Sequence, residues 1–119
     1  MNTRQKGDQY EELAVSYLEA RGVKILERNF RMGRNGEIDI IARDGKYLVF
    51  TEVKYRADTQ KGTAAEAVTA AKQKKICRVA DYYRYTHHYD ENTWVRYDVV
   101  AIQGEEIIWI PNAFPHQYR

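Results

Sequence analysis

The chain is 119 residues long, 44% hydrophobic and 30% charged, with a formal net charge of +2. That size holds a single domain spanning residues 1–119 with a real core, which excludes a disordered chain, and the small net charge does not by itself announce a nucleic-acid partner. No apolar run approaches the ~18 residues of a membrane span, no secretion signal opens the chain, and the single cysteine, Cys77, excludes an internal disulfide and a four-cysteine zinc site, so the expectation is a cytoplasmic protein with no membrane partner.

Residues 8–21 read as a helix. Asp8 and Glu11 make a capping-box-like start, with a start one turn earlier left open. Tyr10, Leu13, Ala14, Tyr17 and Leu18 form its apolar stripe, and Gly22 ends it. Residues 23–30 read as a strand and residues 32–36 as a loop. From Gly36 to Arg56, two apolar runs flank Asp44-Gly45, a hairpin signal. Thr63 and Glu66 form a second capping box, opening a helix to about Arg84 with Val68, Ala71, Ile76, Val79, Ala80 and Tyr83 facing inward. Two strands, residues 94–102 and 107–110, close the chain around Gly104. The order helix, three strands, helix, two strands predicts an α/β sandwich: a mixed central sheet flanked by helices.

Charge is unevenly placed along these elements. Arg21, Lys24, Arg28, Arg31 and Arg34 face Glu27 alone over residues 21–34, eight basic residues face three acids over residues 54–84, and the tail from Asp90 onward is acidic. This asymmetry suits a side that meets a polyanion. A solvated helix face with scattered loop charges accounts for it equally well.

With Asp44-Gly45 as a two-residue turn, Arg43 pairs with Lys46 and Asp39 lies opposite Phe50. Alternation then places Glu37, Asp39, Ile41, Leu48, Phe50, Glu52 and Lys54 on one face, with Asp39 and Glu52 as diagonal neighbours roughly 7 Å apart at Cβ. Carboxylates gathered on one face of an apolar hairpin repel each other, and a cation between them relieves the repulsion. Oxygen-only ligands select Mg²⁺ or Mn²⁺. A divalent ion makes water nucleophilic at neutral pH, and Lys54 on the same face suits the charge that develops on a phosphate. Two acids and a lysine on a hairpin thus point to metal-assisted hydrolysis of a phosphodiester. An exposed Glu52–Lys54 charge pair is the commoner fate of such residues, but Val49, Phe50 and Val53 mark this strand as interior.

Asp39 followed by Glu52-Val53-Lys54 resembles the signature of the PD-(D/E)XK nuclease superfamily, which has the restriction-endonuclease-like fold. A longer series is similar to the bacterial YraN-like family of predicted endonucleases. It runs through Ala14, Tyr17-Leu18, Gly22, Ile25 to Phe30, Gly36 to Asp39, Leu48 to Phe50, Glu52 to Lys54, Arg56, Ala67-Val68, Lys72-Gln73, Asp98 to Val100 and Asn112 to Phe114. The resemblance implies an αβββαβ core, Mg²⁺ (or Mn²⁺) held by Asp39 and Glu52, and Lys54 as the catalytic lysine. It adds Glu11 from the first helix and Gln73 from the second as assisting residues, although each also reads as a boundary side chain. Tyr10 stands where many relatives have glycine, a departure that bears on the geometry of Glu11.

The function expected is a metal-dependent endonuclease acting on DNA, including branched or damaged DNA, with RNA left open as a substrate. Arg31, Arg34, Arg56, Lys72 and Lys75 would contact phosphates without reading bases. Two alternatives stand beside it: a nucleic-acid-binding protein of the same fold that does not cut, and a homodimer acting as a Holliday-junction resolvase. Glu37 is either a further acid of the site or a strand-edge residue. Arg96 and Asp98 read as a structural ion pair, and His87-His88 as loop residues.

Overall fold

The structure, a computed structural model, describes residues 3–57 and 68–117, with side chains from residue 7 onward. In chain order the elements are α1 (Thr3–Glu19), β1 (Lys24–Arg31), β2 (Glu37–Asp44), β3 (Tyr47–Arg56), α2 (Ala70–Thr86), β4 (Trp94–Gln103) and β5 (Glu106–Ile110). The sheet order is β1-β2-β3-β4-β5, with β3 and β4 parallel and every other neighbour antiparallel. This is a mixed α/β fold whose αβββαβ core is of the restriction-endonuclease-like kind, with β5 added at one edge.

The helices cover opposite faces of the sheet. Under α2, Ile76, Val79, Ala80 and Tyr83 pack on Ile41, Leu48, Phe50, Tyr97 and Val99; under α1, Ala14, Val15 and Leu18 pack on Ile40, Ala42 and Val100. β3 lies at the centre, so Val49 and Phe50 are almost fully buried, as their apolar run predicts.

Helix α1 is already running at Thr3, so Asp8 is not its cap. Its buried side is Glu11, Ala14, Val15 and Leu18, while Leu13 is 48% exposed. At ~100° per residue Leu13 points away from Glu11, and the helix has turned the acid, not Leu13, onto the sheet. The helix stops as expected: Val23 N–H donates to Leu18 O and Gly22 N–H to Glu19 O, with Gly22 at φ 86°, a Schellman end that only glycine adopts cheaply.

The Thr63–Glu66 capping box lies outside the described residues. Helix α2 begins at Ala70, where the N-cap Thr69 hydroxyl accepts the Lys72 N–H at 3.2 Å. Val68 is buried but precedes the helix, and Ala71 is exposed in its first turn.

The hairpin register differs from the expected one. Asp44 pairs with Tyr47, Arg43 with Leu48 and Ile41 with Phe50, so the turn is Gly45-Lys46 rather than Asp44-Gly45. Gly45 has φ 60° while Lys46 is not left-handed, as in a turn that places glycine first of its two central residues. The shift moves each partner by two residues and therefore keeps the parity of the paired residues, so Ile41, Leu48 and Phe50 stay together on the α2 face as expected. Extended one step, it sets Asp39 directly across from Glu52 rather than diagonal to it.

Candidate functional site

Alternation fails at one place in β2. Ile38 packs under α2, Ile40 under α1 and Ile41 under α2 again. Strict period two would keep Ile38 and Ile40 together. The ladder of β2 and β3 reaches Ile40↔Thr51 and goes no further. Beyond it the Asp39 side chain takes over from the backbone: Oδ2 accepts the Val53 N–H at 2.8 Å. Asp39 is thereby tied to the residue between Glu52 and Lys54.

Glu52 is 5% exposed on the α2 side, and its Oε2 is buried with no hydrogen-bond partner among the described residues. Among the described residues its ion-pair partner is the Lys72 ammonium, 3.9 Å from Oε2. Burial pushes the Glu52 carboxyl up to about 9; the negative charge of Asp39 and a hydrogen bond with it push the same way, while Lys72 and Lys54 pull down. Lys54, half-buried two residues along the strand, therefore acts on the same carboxyl. Asp39, Glu52, Lys54 and Lys72 converge at the end of β3 that faces the start of α2.

Glu11 reaches this region from the other helix. It is 7% exposed and its Oε1 accepts both Arg28 Nε at 3.0 Å and Asn29 Nδ2 at 2.9 Å. Burial raises its carboxyl above the usual range, Arg28 opposes that rise, and the charge of Asp39 adds to it. Arg28 also bridges Glu12 at 2.9 Å. Glu11 is therefore no capping-box residue but a buried acid held by β1. Tyr10 is accommodated by stacking on Tyr55, with ring centroids 3.8 Å apart at 9°, which links the turn of α1 carrying Glu11 to the residue after Lys54.

Gln73 does not reach the acid pair through any described contact. Its Nε2 donates to Val68 O at 3.2 Å and its Oε1 accepts from Gln117 Nε2 at 3.5 Å, so it secures the entry to α2. Glu37 is not part of the site: the broken alternation leaves it opposite Arg31, with which it forms an ion pair at 3.3 Å. Arg96 and Asp98 form the structural pair expected of them. Asp98, 1% exposed, accepts from Arg96 Nε, Trp109 Nε1 and the Asn112 N–H, each at 2.9 Å.

The candidate phosphate-contacting residues split. Gly36 brings the loop of residues 32–36, with Arg34, against Lys75 and Val79 of α2, where a Cβ on Gly36 would meet Val79 Cγ2 at 2.9 Å. Arg31 and Lys72 are engaged by Glu37 and Glu52. Arg56 ends β3 two residues beyond Lys54. A cleft of about 800 Å³ on α2, lined in part by Lys74, Arg78, Tyr82 and Tyr85, contains none of these acids. Sequence reasoning missed the contacts of Lys72, Arg28 and Asn29 with the acids. Only the resemblance, which runs through Arg28-Asn29 and Lys72, carried a signal for them.

The acid pair fits a divalent cation. Glu52 Oε2 is a buried oxygen lacking a hydrogen bond, Asp39 stands across from it, and a hard ion that keeps several waters needs no more than two carboxylates from the protein. Among the described residues no group of three or more His, Cys, Asp or Glu is placed to hold a metal. No helix among them is long and apolar enough to cross a membrane.

The fold and site define an α/β protein with a restriction-endonuclease-like core in which the half-buried Asp39 and the buried Glu52 lie together on the inner strands of the sheet. Residues 10–102 match the model of the uncharacterised protein family UPF0102. The chain is 47% identical over 114 residues to a UPF0102 protein of Lachnoclostridium phytofermentans, covering 96% of both chains. It is 46% identical over 110 residues to one of Aeromonas hydrophila, covering 92% of this chain and 84% of the relative. It is 44% identical over 109 residues to one of Shewanella loihica, covering 92% and 93%. The chain belongs to the UPF0102 family, the YraN-like family to which its motifs point.

Proposed function

We propose that the protein is a cytoplasmic, divalent-cation-dependent endonuclease that hydrolyses phosphodiester bonds in DNA, branched or damaged DNA included. One observation carries this: the buried, unpartnered Oε2 of Glu52 across from Asp39, with the cations Lys54 and Lys72 beside it. Two neighbouring acids on the inner strands of a sheet, one with a buried oxygen that no described hydrogen bond satisfies, are costly and suit a site that takes a ligand.

Asp39 and Glu52 would hold Mg²⁺ or Mn²⁺, and the ion would supply Lewis-acid polarisation of a phosphoryl oxygen and a more acidic water. Val53 N–H fixes the Asp39 carboxylate, so that group enters the site already oriented. Lys54 stabilises negative charge developing on the phosphate. Glu11 assists from α1, and Gln73 assists indirectly by fixing the start of α2 at Val68. Arg34, Lys75 and Arg56 contact phosphates; Arg31 and Lys72 do so after yielding their carboxylates.

The test is cleavage of linear, flapped and four-way DNA by purified protein with Mg²⁺ or Mn²⁺. Cutting is expected from the wild type and lost in Asp39→Ala, Glu52→Ala and Lys54→Ala. Undiminished cutting in all three variants assigns the activity elsewhere.

A second reading, nucleic-acid binding without cutting, is favoured by one observation: the described acids that face each other number two, with no third carboxylate converging on the same point. Metal-independent DNA binding with no cleavage would select it.

A further inference from the structure

Asn29 is left-handed, with φ 54°, in the interior of a strand. Asparagine enters that conformation more readily than most residues with a side chain, but inside a strand it interrupts the regular ladder and re-aims the side chain. The flanking pairs Arg28↔Ile40 and Phe30↔Ile38 place Asn29 across from Asp39. The break in the alternation of β2 falls on this same row, between Ile38 and Ile40. One row thus crosses the molecule: Glu11 of α1 bonds Asn29 of β1, Asn29 lies across from Asp39 of β2 by register, and Asp39 bonds the Val53 N–H of β3, between Glu52 and Lys54.

Two donors meet on one oxygen at the α1 end of this line. Arg28 Nε and Asn29 Nδ2 both bind Glu11 Oε1, and no described hydrogen bond reaches Oε2. In regular strand geometry, neighbouring side chains leave on opposite faces, so Arg28 and Asn29 would not both reach the same acid. The left-handed turn at Asn29 makes this double contact available. An exposed asparagine in a left-handed conformation, spent on a carboxylate that already has an arginine, is poorly explained by stability alone.

We infer that Asn29, together with Arg28, is a positioning residue that holds Glu11 by Oε1 and presents Oε2 toward the row of Asp39, where Glu11 would orient the attacking water of the nuclease reaction without itself ligating the ion. The inference rests on the proposed nuclease activity and extends it to residues that do not touch the substrate.

Asn29→Gly is the informative variant, because glycine keeps the left-handed backbone and removes only the amide. It should melt close to the wild type, whereas Asn29→Ala, which strains the backbone as well, should melt lower. With Mn²⁺ and a DNA substrate, Asn29→Gly should lower kcat about 10- to 100-fold, the usual effect of removing a group that orients an acting residue, with KM changed by less than about threefold. In a Glu11→Gln background the same change should cost nothing further, because Asn29 acts through Glu11. Asn29→Asp should not rescue, since a carboxylate cannot donate to Glu11. Undiminished kcat in Asn29→Gly, or an equal loss in the Glu11→Gln background, overturns the inference while leaving the nuclease reading intact. A wild-type protein that cuts no DNA overturns that reading first, and this inference with it.

Discussion

Asp39 Oδ2 lies 2.8 Å from the backbone nitrogen of Val53 and replaces a strand carbonyl where the β2–β3 ladder ends. One carboxylate thus closes the sheet and supplies the site. Asp39→Asn keeps an oxygen that can accept the Val53 N–H, so the fold should lose under about 1 kcal/mol while cleavage disappears. Asp39→Ala should lose cleavage and about 1–3 kcal/mol, the cost of leaving a half-buried N–H unpaired. Denaturant unfolding of both variants beside a cleavage assay separates the two roles.

Glu52 sets a pH dependence. Its carboxyl is raised from 4.5 to about 9, chiefly by burial and by Asp39, so the folded protein keeps a proton that the unfolded chain gives up. Stability from this group is complete below about pH 4.5 and is lost as the pH rises toward 9. Glu52→Gln does not titrate. Without metal it should melt at the wild-type temperature at pH 4 and above it at pH 8, the gap widening in between. Mg²⁺ should raise the wild-type melting temperature and leave Glu52→Gln unmoved. Identical melting curves at both pH values would contradict this.

Gly36 is a packing position. Its φ is 149°, and an added Cβ would sit 2.9 Å from Val79 Cγ2. Gly36→Ala should cost about 1–3 kcal/mol by overpacking. Gly7, within α1 with nothing within 4 Å of an added Cβ, gives the opposite sign. Gly7→Ala should stabilise by about 0.5–1 kcal/mol. Chemical denaturation of the two variants checks both.

Asp98 is structural. Removing it leaves Arg96, whose side chain is 13% exposed, with Asp44 as its remaining described ion-pair partner at 2.8 Å, and strips the Trp109 and Asn112 N–H groups of their acceptor. Asp98→Ala should cost about 3–5 kcal/mol, as breaking a buried pair does. At temperatures where the variant remains folded, it should still cut DNA. Complete loss of cutting in a folded Asp98→Ala protein would place Asp98 in the chemistry instead.

Much of this architecture was legible in the residues. Apolar periodicity and Gly22 gave the helices, and Asp44-Gly45 announced the hairpin. The nearness of Asp39 to Glu52 was legible because a register error of two residues still leaves them on neighbouring rows of adjacent strands. The start of the second helix was misplaced because two Thr-x-x-polar patterns compete, and the one at Thr69 caps the described helix. The stripe on α1 held for Ala14 and Leu18, with Tyr10 and Tyr17 half-buried, and failed at Leu13, which hydrophobicity favours but the structure leaves exposed while Glu11 turns inward to meet Arg28 and Asn29. Helical spacing in line with Ala14 and Leu18 already put Glu11 at the border of the buried stripe, but its partner Asn29, 18 residues away with a left-handed backbone, is encoded by no local pattern. Of the two readings left open for Glu37, the strand-edge one holds, since it pairs with Arg31 where alternation breaks between Ile38 and Ile40.

The central claim is that Asp39 and Glu52 share a divalent cation, and titration calorimetry with Mn²⁺ and Mg²⁺ measures it most directly. The wild type should take up the ion at a single site. Asp39→Asn and Glu52→Gln, both folded, should take up none at the same concentrations. Uptake unchanged in the two variants, or none in the wild type even with a DNA oligonucleotide present, would contradict the claim.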